Sequence, residues 1–182
     1  MSYSFNELIK IRQAYRSFSD KPIAKDLLYD IIAMAKNAPS ACNSQPWRVY
    51  ITYTQEENVK MRESLQDNGR NVFLDTAKAF IAVYKNEAIK LNLGAESKFS
   101  LLHFVEYDIG EFVAYLTLAA KNKGVDSCII GWVNNEKLNE TFSLNGKCDL
   151  VIALGYAKDD KVRTKKRKDL KEIIINYKEE EL

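Results

Sequence analysis

The first strand-like segment of this chain begins only at residue 47, after two segments with helical periodicity. Apolar residues recur at helical spacing over residues 6–16 and again over residues 25–36. Residues 47–54 then show the two-residue alternation that is typical of a strand. Helical and strand-like segments are interleaved after that point, but without a strict strand–helix–strand rhythm. We therefore expect an α+β protein in which helices pack around a central sheet.

The remaining elements follow from the same patterns. We predict helices over residues 55–67, 108–123, 136–142 and 169–177, and strands over residues 79–84, 128–133 and 150–154. Gly124 is positioned to end the long helix. Residues 85–104 have no clear period, and we expect residues 85–106 to shape a substrate pocket. Because no Gly-, Ser- or Pro-rich linker interrupts the chain, we expect one domain over residues 1–182.

The composition argues against several classes of protein. A net charge of +2 does not indicate a nucleic-acid-binding protein. The chain has three cysteines and no CxxC pair, which argues against a disulfide framework and fits a reducing compartment. His103 is the only histidine, so neither a histidine-based metal site nor a Ser-His-Asp triad is expected. No targeting segment or membrane span is visible, and we expect a cytoplasmic protein.

Two arginines, Arg12 and Arg16, lie four residues apart at the end of the first predicted helix. This spacing puts both on one face if the helix continues that far. A guanidinium group matches a phosphate or a carbonyl edge, although arginines also commonly occupy solvated surfaces.

A second segment combines small residues and amides between two prolines, and its sequence is Pro39-Ser40-Ala41-Cys42-Asn43-Ser44-Gln45-Pro46-Trp47. Its amides, hydroxyls and backbone N–H groups suit the polar rim of a heteroaromatic ligand. The same residue types are also common in a plain helix-to-strand connection.

A third segment, residues 158–168, contains seven basic residues. It could bind a phosphate, contact nucleic acid or form a solvated face. Interspersed acidic residues and a lack of aromatic residues argue against nucleic acid.

Taken together and in this order, these segments resemble the nitroreductase family of FMN-dependent oxidoreductases. The most specific match is the segment from Asn43 to Trp47. The resemblance also includes the arginine pair and the sequences Gly124-Val125-Asp126-Ser127-Cys128-Ile129-Ile130-Gly131-Trp132, Leu154-Gly155-Tyr156-Ala157 and Lys165-Lys166-Arg167. The chain departs from the family at Ala14, where a serine is frequent, and so lacks one hydroxyl hydrogen bond, worth roughly 0.5–1.5 kcal/mol.

The resemblance implies a nitroreductase-like fold with a mostly antiparallel sheet, and a homodimer with FMN at the subunit interface. NADH or NADPH would be the co-substrate, and a small molecule such as a nitroaromatic or a quinone would accept the electrons. It implies no catalytic side chain, no metal and no nucleic-acid or membrane partner. The implied cofactor-binding residues are Arg12, Gln13, Ala14 and Arg16, then Pro39, Ser40, Ala41 and Asn43 from the partner subunit, Ile130 and Gly131 against the ring system, and Lys165 and Arg167 at the phosphate.

Two alternatives remain open at this point. One is a specialised flavoenzyme on the same fold, which performs reductive dehalogenation or flavin fragmentation. The other is a non-catalytic interaction module that binds anionic partners through its basic segment.

Overall fold

The core of the molecule is a four-stranded sheet in which every neighbouring pair of strands is antiparallel. The computed structural model describes residues 3–66, 69–86, 104–159 and 161–177. The strands are β1 (Trp47–Thr52), β2 (Ala79–Lys85), β3 (Asp126–Ile130) and β4 (Cys148–Gly155), in the spatial order β1-β2-β4-β3. The predicted α+β class with a mostly antiparallel sheet is confirmed.

Six α-helices surround this sheet in the described part of the chain. They are α1 (Phe5–Ile11), α2 (Lys25–Ala35), α3 (Gln55–Leu65), α4 (Val105–Asn122), α5 (Asn135–Phe142) and α6 (Leu170–Ile173). None of these helices is long and apolar enough to cross a bilayer. His103, most of residues 85–106 and residues 178–182 lie outside the described residues.

Each face of the sheet has its own hydrophobic core. On β2, Ile81 and Val83 contribute to one cluster, and Phe80 and Ala82 contribute to the other. Helices α2 and α4 pack on the first face, whereas α3 and α5 pack on the second. This division follows from the alternation of side chains along a strand. Because β2 and β4 are covered on both faces, their sequences read as continuous apolar runs.

The largest differences from the predicted helices occur in the first and the last helix. The first helix ends at Ile11 rather than at residue 16, because Arg12 takes an extended conformation (φ −63°, ψ 123°). The last helix spans only Leu170–Ile173 rather than residues 169–177. The end of α4 agrees with the prediction, since Gly124 has φ +77° and Val125 N–H donates to the Ala120 carbonyl at 2.8 Å.

Gly155, at the end of β4, is required by the close approach of Phe18. A Cβ atom at this position would lie 2.5 Å from Phe18 Cγ, and Phe18 itself is buried. Because the Cβ and Cγ atoms of Phe18 lie in a packed core, they cannot move away from an added methyl group at low cost.

We expect Gly155→Ala to lower the free energy of unfolding by about 1–3 kcal/mol through overpacking. Urea unfolding of the flavin-free protein measures this change. Gly131→Ala is the matched control, because the nearest atom to its added Cβ is 3.8 Å away. Equal unfolding midpoints for the two variants would contradict the steric argument.

Candidate functional site

The segment after α1 lies as an extended chain beside β3, the edge strand of the sheet, and it carries both predicted arginines. Ala14 forms a parallel bridge with Ser127 of β3, and Tyr15 N–H donates to the Ser127 carbonyl at 3.0 Å. The helical interpretation of the arginine spacing is therefore wrong. An extended chain has a period of two, so positions 12, 14 and 16 still share one side. Gln13 and Tyr15 point to the buried side.

Gln13 fastens the C-terminal basic segment to this extended chain. Its side chain is 7% exposed, and its Nε2 donates to the Lys161 carbonyl at 2.9 Å. Its Oε1 accepts from the backbone N–H of Arg163 at 3.0 Å and from Arg163 Nε at 3.4 Å. The Gln13 amide therefore bonds to both Lys161 and Arg163, which lie about 150 residues further along the chain.

Lys165 lies at the C-terminal end of α1. Its Nζ donates to the carbonyls of Ile9 at 3.2 Å and Arg12 at 2.7 Å, and it also contacts the Lys10 carbonyl. The C-terminal end of a helix favours a cation because its last carbonyls lack helical partners. Residues 161–165 are thus docked against residues 9–14, and the basic run is not simply a solvated face.

These contacts assemble a cluster of positive charge around one cavity, which we call the cation cluster. The cavity has a volume of about 290 Å³ and is lined by Arg12, Gln13, Ala14, Arg163, Thr164, Lys165 and Arg167. Among the described residues, no carboxylate lies within ion-pair distance of any of its four cations. The cluster therefore lacks a protein counter-charge and suits a phosphate.

The electrostatics of Lys165 support this conclusion. Partial removal from water lowers the pKa of its ammonium, and repulsion from Arg12, Arg167 and Arg163 lowers the pKa further. An anion bound between these groups would reverse the repulsive contribution.

A second cavity of about 240 Å³ adjoins the cation cluster and shares three of its residues. It is lined by residues 13–17 together with Asp159, Lys161 and Arg163. Arg16 lies on its rim, where its guanidinium carbon is 5.6 Å from the centre of the Phe73 ring. The two cavities together offer one site for an anion and an adjoining site for the rest of a ligand.

The loop that contains Pro39, Ser40, Ala41 and Asn43 is held by a buried carboxylate on α4. Asp108 is 4% exposed, and it accepts from Ala41 N–H at 3.0 Å and from Ser44 Oγ at 3.2 Å. Sequence reasoning missed Asp108, although an aspartate on the otherwise apolar face of the long helix is the signal that could have found it.

The backbone of this loop is strained. Cys42, Asn43 and Gln45 have φ values of 51°, 54° and 46°, in the left-handed region. Each such residue costs of the order of 1 kcal/mol or more, and persists only where the surroundings fix it. The Asp108 bonds provide that restraint, together with the bond from Gln45 N–H to Ser40 Oγ at 3.0 Å.

Within one chain this loop lies far from the cation cluster. The loop is bound at the N-terminal end of α4 through Asp108, whereas Lys121 near its C-terminal end contacts the Tyr15 ring. Thirteen residues separate these two positions, which corresponds to about 20 Å along a helix. A single chain therefore does not bring Asn43 together with Arg12.

The other predicted contacts lie at the end of β3. Ile130 is buried and Gly131 is exposed. Burial raises the pKa of the Cys128 thiol, while Arg16 and Arg163 partly oppose that shift. A protonated, buried thiol is a poor nucleophile. Cys42, in the loop between α2 and β1, is exposed.

A larger cavity, of about 560 Å³, lies beside Arg48 and Tyr84. It contains none of the predicted site residues. Its Lys85 ammonium is neutralised by Glu106 at 2.6 Å and Asp149 at 3.1 Å. We therefore place the candidate site at the smaller cavities, where the positive charge is not neutralised.

The fold and the cation cluster define an α+β protein with a site for an anionic ligand. Comparison with known proteins identifies the family. The family model "Nitroreductase family" matches residues 9–71, and the model "Putative TM nitroreductase" matches residues 75–182. The chain belongs to the nitroreductase family.

Known relatives agree with this assignment. Nitrobenzene nitroreductase from Ectopseudomonas oleovorans is 46% identical over 46 residues, which is 25% of this chain and only 20% of that enzyme. A relative from Archaeoglobus fulgidus, whose name includes NAD(P)H nitroreductase, is 28% identical and aligns with 85% of this chain and 86% of its own. Iodotyrosine deiodinase from Thermotoga neapolitana is 26% identical over 94% of this chain and 96% of that enzyme.

Solved structures share the fold. A protein from Exiguobacterium sibiricum 255-15, solved in complex with FMN, has a TM-score of 0.82 and 22% identity. The match covers 98% of this chain and 99% of that chain.

We expect Asp108→Asn to lower the free energy of unfolding by about 1.5–3 kcal/mol, because one loop donor then faces an amide N–H₂ instead of an oxygen. Urea unfolding measures the loss, and hydrogen exchange at Ala41 N–H shows whether the loop opens. Glu111→Gln, an exposed change on the same helix, is the control. Unchanged protection of Ala41 would show that Asp108 does not hold the loop.

Proposed function

We propose that this protein is a single-domain, FMN-dependent oxidoreductase that uses NADH or NADPH to reduce nitroaromatic, quinone or similar acceptors. The observation that carries the proposal is the cation cluster. Four basic side chains from the two ends of the chain surround one cavity and lack a carboxylate partner among the described residues. A phosphomonoester such as that of FMN would supply the missing negative charge.

The residues present fit this cofactor. Arg12 and Arg167 would hold the phosphate, and Lys165, whose ammonium donors lie on three carbonyls at the end of α1, would add its positive charge. Arg16 would lie at the pyrimidine edge of the ring, where a cation stabilises negative charge on the reduced flavin. When bound, FMN supplies the hydride chemistry, accepting electrons from NAD(P)H and delivering them to the acceptor in a ping-pong sequence. The protein's own residues bind and orient, and no protein nucleophile is required.

We further propose that the working unit is a homodimer, with the Asn43 loop of one subunit completing the site of the other. Apolar groups that one chain leaves exposed support this proposal. Helix α1 has no buried residue, yet it carries Phe5 and Ile9, which are 66% and 47% exposed. Tyr115 on α4 is also exposed. Exposed apolar residues of this size mark interaction surfaces when they are contiguous.

A cytoplasmic location is part of the proposal. All three cysteines are unpaired. Such cysteines are usual where the compartment keeps thiols reduced.

Reductive dehalogenation is a second candidate activity. The deiodinase relative supports it, because the alignment covers nearly all of both chains. Both activities need the same flavin site and differ in the acceptor. Steady-state assays with nitroaromatic, quinone and halogenated aromatic substrates separate them.

A non-catalytic interaction module has less support. Such a module needs a basic segment that is available to a partner. Here Gln13 and the end of α1 hold residues 161–165 against the domain.

A visible absorption spectrum tests the proposed function. We expect the purified protein, or the protein given FMN, to show the flavin bands and to lose them on addition of NADH or NADPH under anaerobic conditions. Arg12→Ala should weaken FMN binding by roughly 10- to 100-fold, as expected for a charge-assisted hydrogen bond. Riboflavin, which lacks the phosphate, should bind the two proteins alike. A colourless protein that takes up no FMN would overturn the proposal.

The lowered pKa of Lys165 gives the site a pH dependence. A lysine whose pKa is lowered becomes neutral at a lower pH than an ordinary lysine, and it then no longer attracts a phosphate. FMN affinity should therefore fall as the pH rises towards the usual lysine range of about 10. Lys165→Arg, which stays charged, should move this loss to higher pH.

Fluorescence titrations with FMN between about pH 7 and pH 10 measure this effect. For the wild type and for Lys165→Arg, the quantity compared is the change in FMN affinity per pH unit. Titration of the flavin itself affects both proteins equally and therefore cancels. Identical slopes would exclude Lys165 as the responsible group.

A further inference from the structure

Arg163 occupies a position that the resemblance did not assign. Among the described residues, it is the one basic residue that lines both the cavity of the cation cluster and the adjoining cavity, and Ala14 also lines both. Its backbone N–H is bonded to Gln13 Oε1, so the position of its main chain does not depend on its side chain. Its guanidinium Nη2 donates to the Ala14 carbonyl at 2.6 Å.

The Arg163 guanidinium has donors left for a ligand. An arginine carries five N–H donors. Nε uses one on Gln13 and Nη2 uses one on Ala14, which leaves three without a partner among the described residues. Two fixed bonds orient the planar fork, and a fork held in this way loses little freedom when it binds an oxyanion.

Arg163 lies beside Ala14, whose side chain offers no hydrogen-bonding group to the cavity that both residues line. Ala14 contributes only a methyl group to the cavity. A phosphate needs several donors to replace its water. Apart from the cations, the lining residue with a hydroxyl is Thr164. Arg163 and Thr164 are therefore the two residues that could replace a hydroxyl at position 14.

Arg163 repels the other cations of the cluster. Burial lowers the pKa of Lys165, and repulsion from Arg12, Arg167 and Arg163 lowers it further. An anion that relieves this repulsion gains from all four cations, which favours a dianionic phosphate over a monoanion.

We infer that Arg163 is a phosphate-binding residue of the flavin site, that its guanidinium replaces the hydroxyl absent at Ala14, and that Gln13 is the positioning residue that aims it. This inference rests on the proposed function. It deepens that function, because it makes the site selective for the phosphorylated flavin through a residue outside the family pattern.

A double-mutant cycle tests the compensation. The four proteins are the wild type, Arg163→Ala, Ala14→Ser and the variant with both changes. Arg163→Ala should weaken FMN binding by roughly 10- to 100-fold, the range for hydrogen bonds to a charged group. Ala14→Ser should change the affinity of the wild type by less than about threefold, but should recover most of the loss in the Arg163→Ala background.

Three comparisons make the cycle decisive. Lys168→Ala removes the same charge from an exposed position on the same segment that lines neither cavity, and should bind FMN like the wild type. Thr164→Val tests whether the Thr164 hydroxyl, rather than Arg163, replaces the hydroxyl absent at position 14. Riboflavin binding should be the same in all of these proteins, and this also shows that each variant is folded.

The outcomes are distinguishable. If Arg163→Ala binds FMN as tightly as Lys168→Ala, or if the two changes of the cycle act additively, the inference is overturned. The same holds if Thr164→Val, rather than Arg163→Ala, loses FMN. If the wild-type protein binds no FMN, the proposed function itself fails.

Discussion

The docking of residues 161–165 onto residues 9–14 is the interaction on which the candidate site depends. The two hydrophobic cores contain none of residues 161–165, so this docking is not part of the apolar packing on the sheet. The cation cluster does depend on the docking, because Arg12 comes from one end of the chain and the other basic residues come from the opposite end. A buried amide with three bonds and a lysine at a helix end hold the two segments together. Both contacts are polar, so the site is organised by directional bonds rather than by apolar burial.

The loop of residues 39–45, at the other end of α4, is also held in place by polar contacts. A buried carboxylate holds a loop in a conformation that its residues would not adopt alone. The two halves of the candidate site do not meet within one chain, because about 20 Å of α4 lies between them. The proposed homodimer would bring one half from each subunit together.

Local patterns were sufficient for most of the sheet and helices. The alternation that begins at Trp47 and the apolar run around Ile81 predict strands that the structure contains. The end of α1 could not be predicted in this way, since Arg12 leaves the helix to let Ala14 bridge to Ser127, more than a hundred residues away. For the same reason the bond between Gln13 and Arg163 could not be predicted, and the position of Asp108 on an apolar helix face shows only that it needs a partner, not that the partner is Ala41. Such contacts depend on tertiary structure, which a periodicity does not record.

The position of the basic segment after the last strand also affects the order in which the site is synthesised and the way in which proteolysis would remove it. Residues 161–167 follow β4, so every strand of the sheet has been synthesised before Arg163, Lys165 and Arg167 emerge to join Arg12. If the cation cluster binds the flavin phosphate as proposed, the site is complete only after the whole sheet has been made. A protease that cut beside the exposed residues Lys158 and Asp159 would then separate residues 161–167 from two cores that contain none of them, and the flavin would be lost while the sheet stayed folded. Loss of cofactor would then be an early sign of turnover, preceding the collapse of the fold.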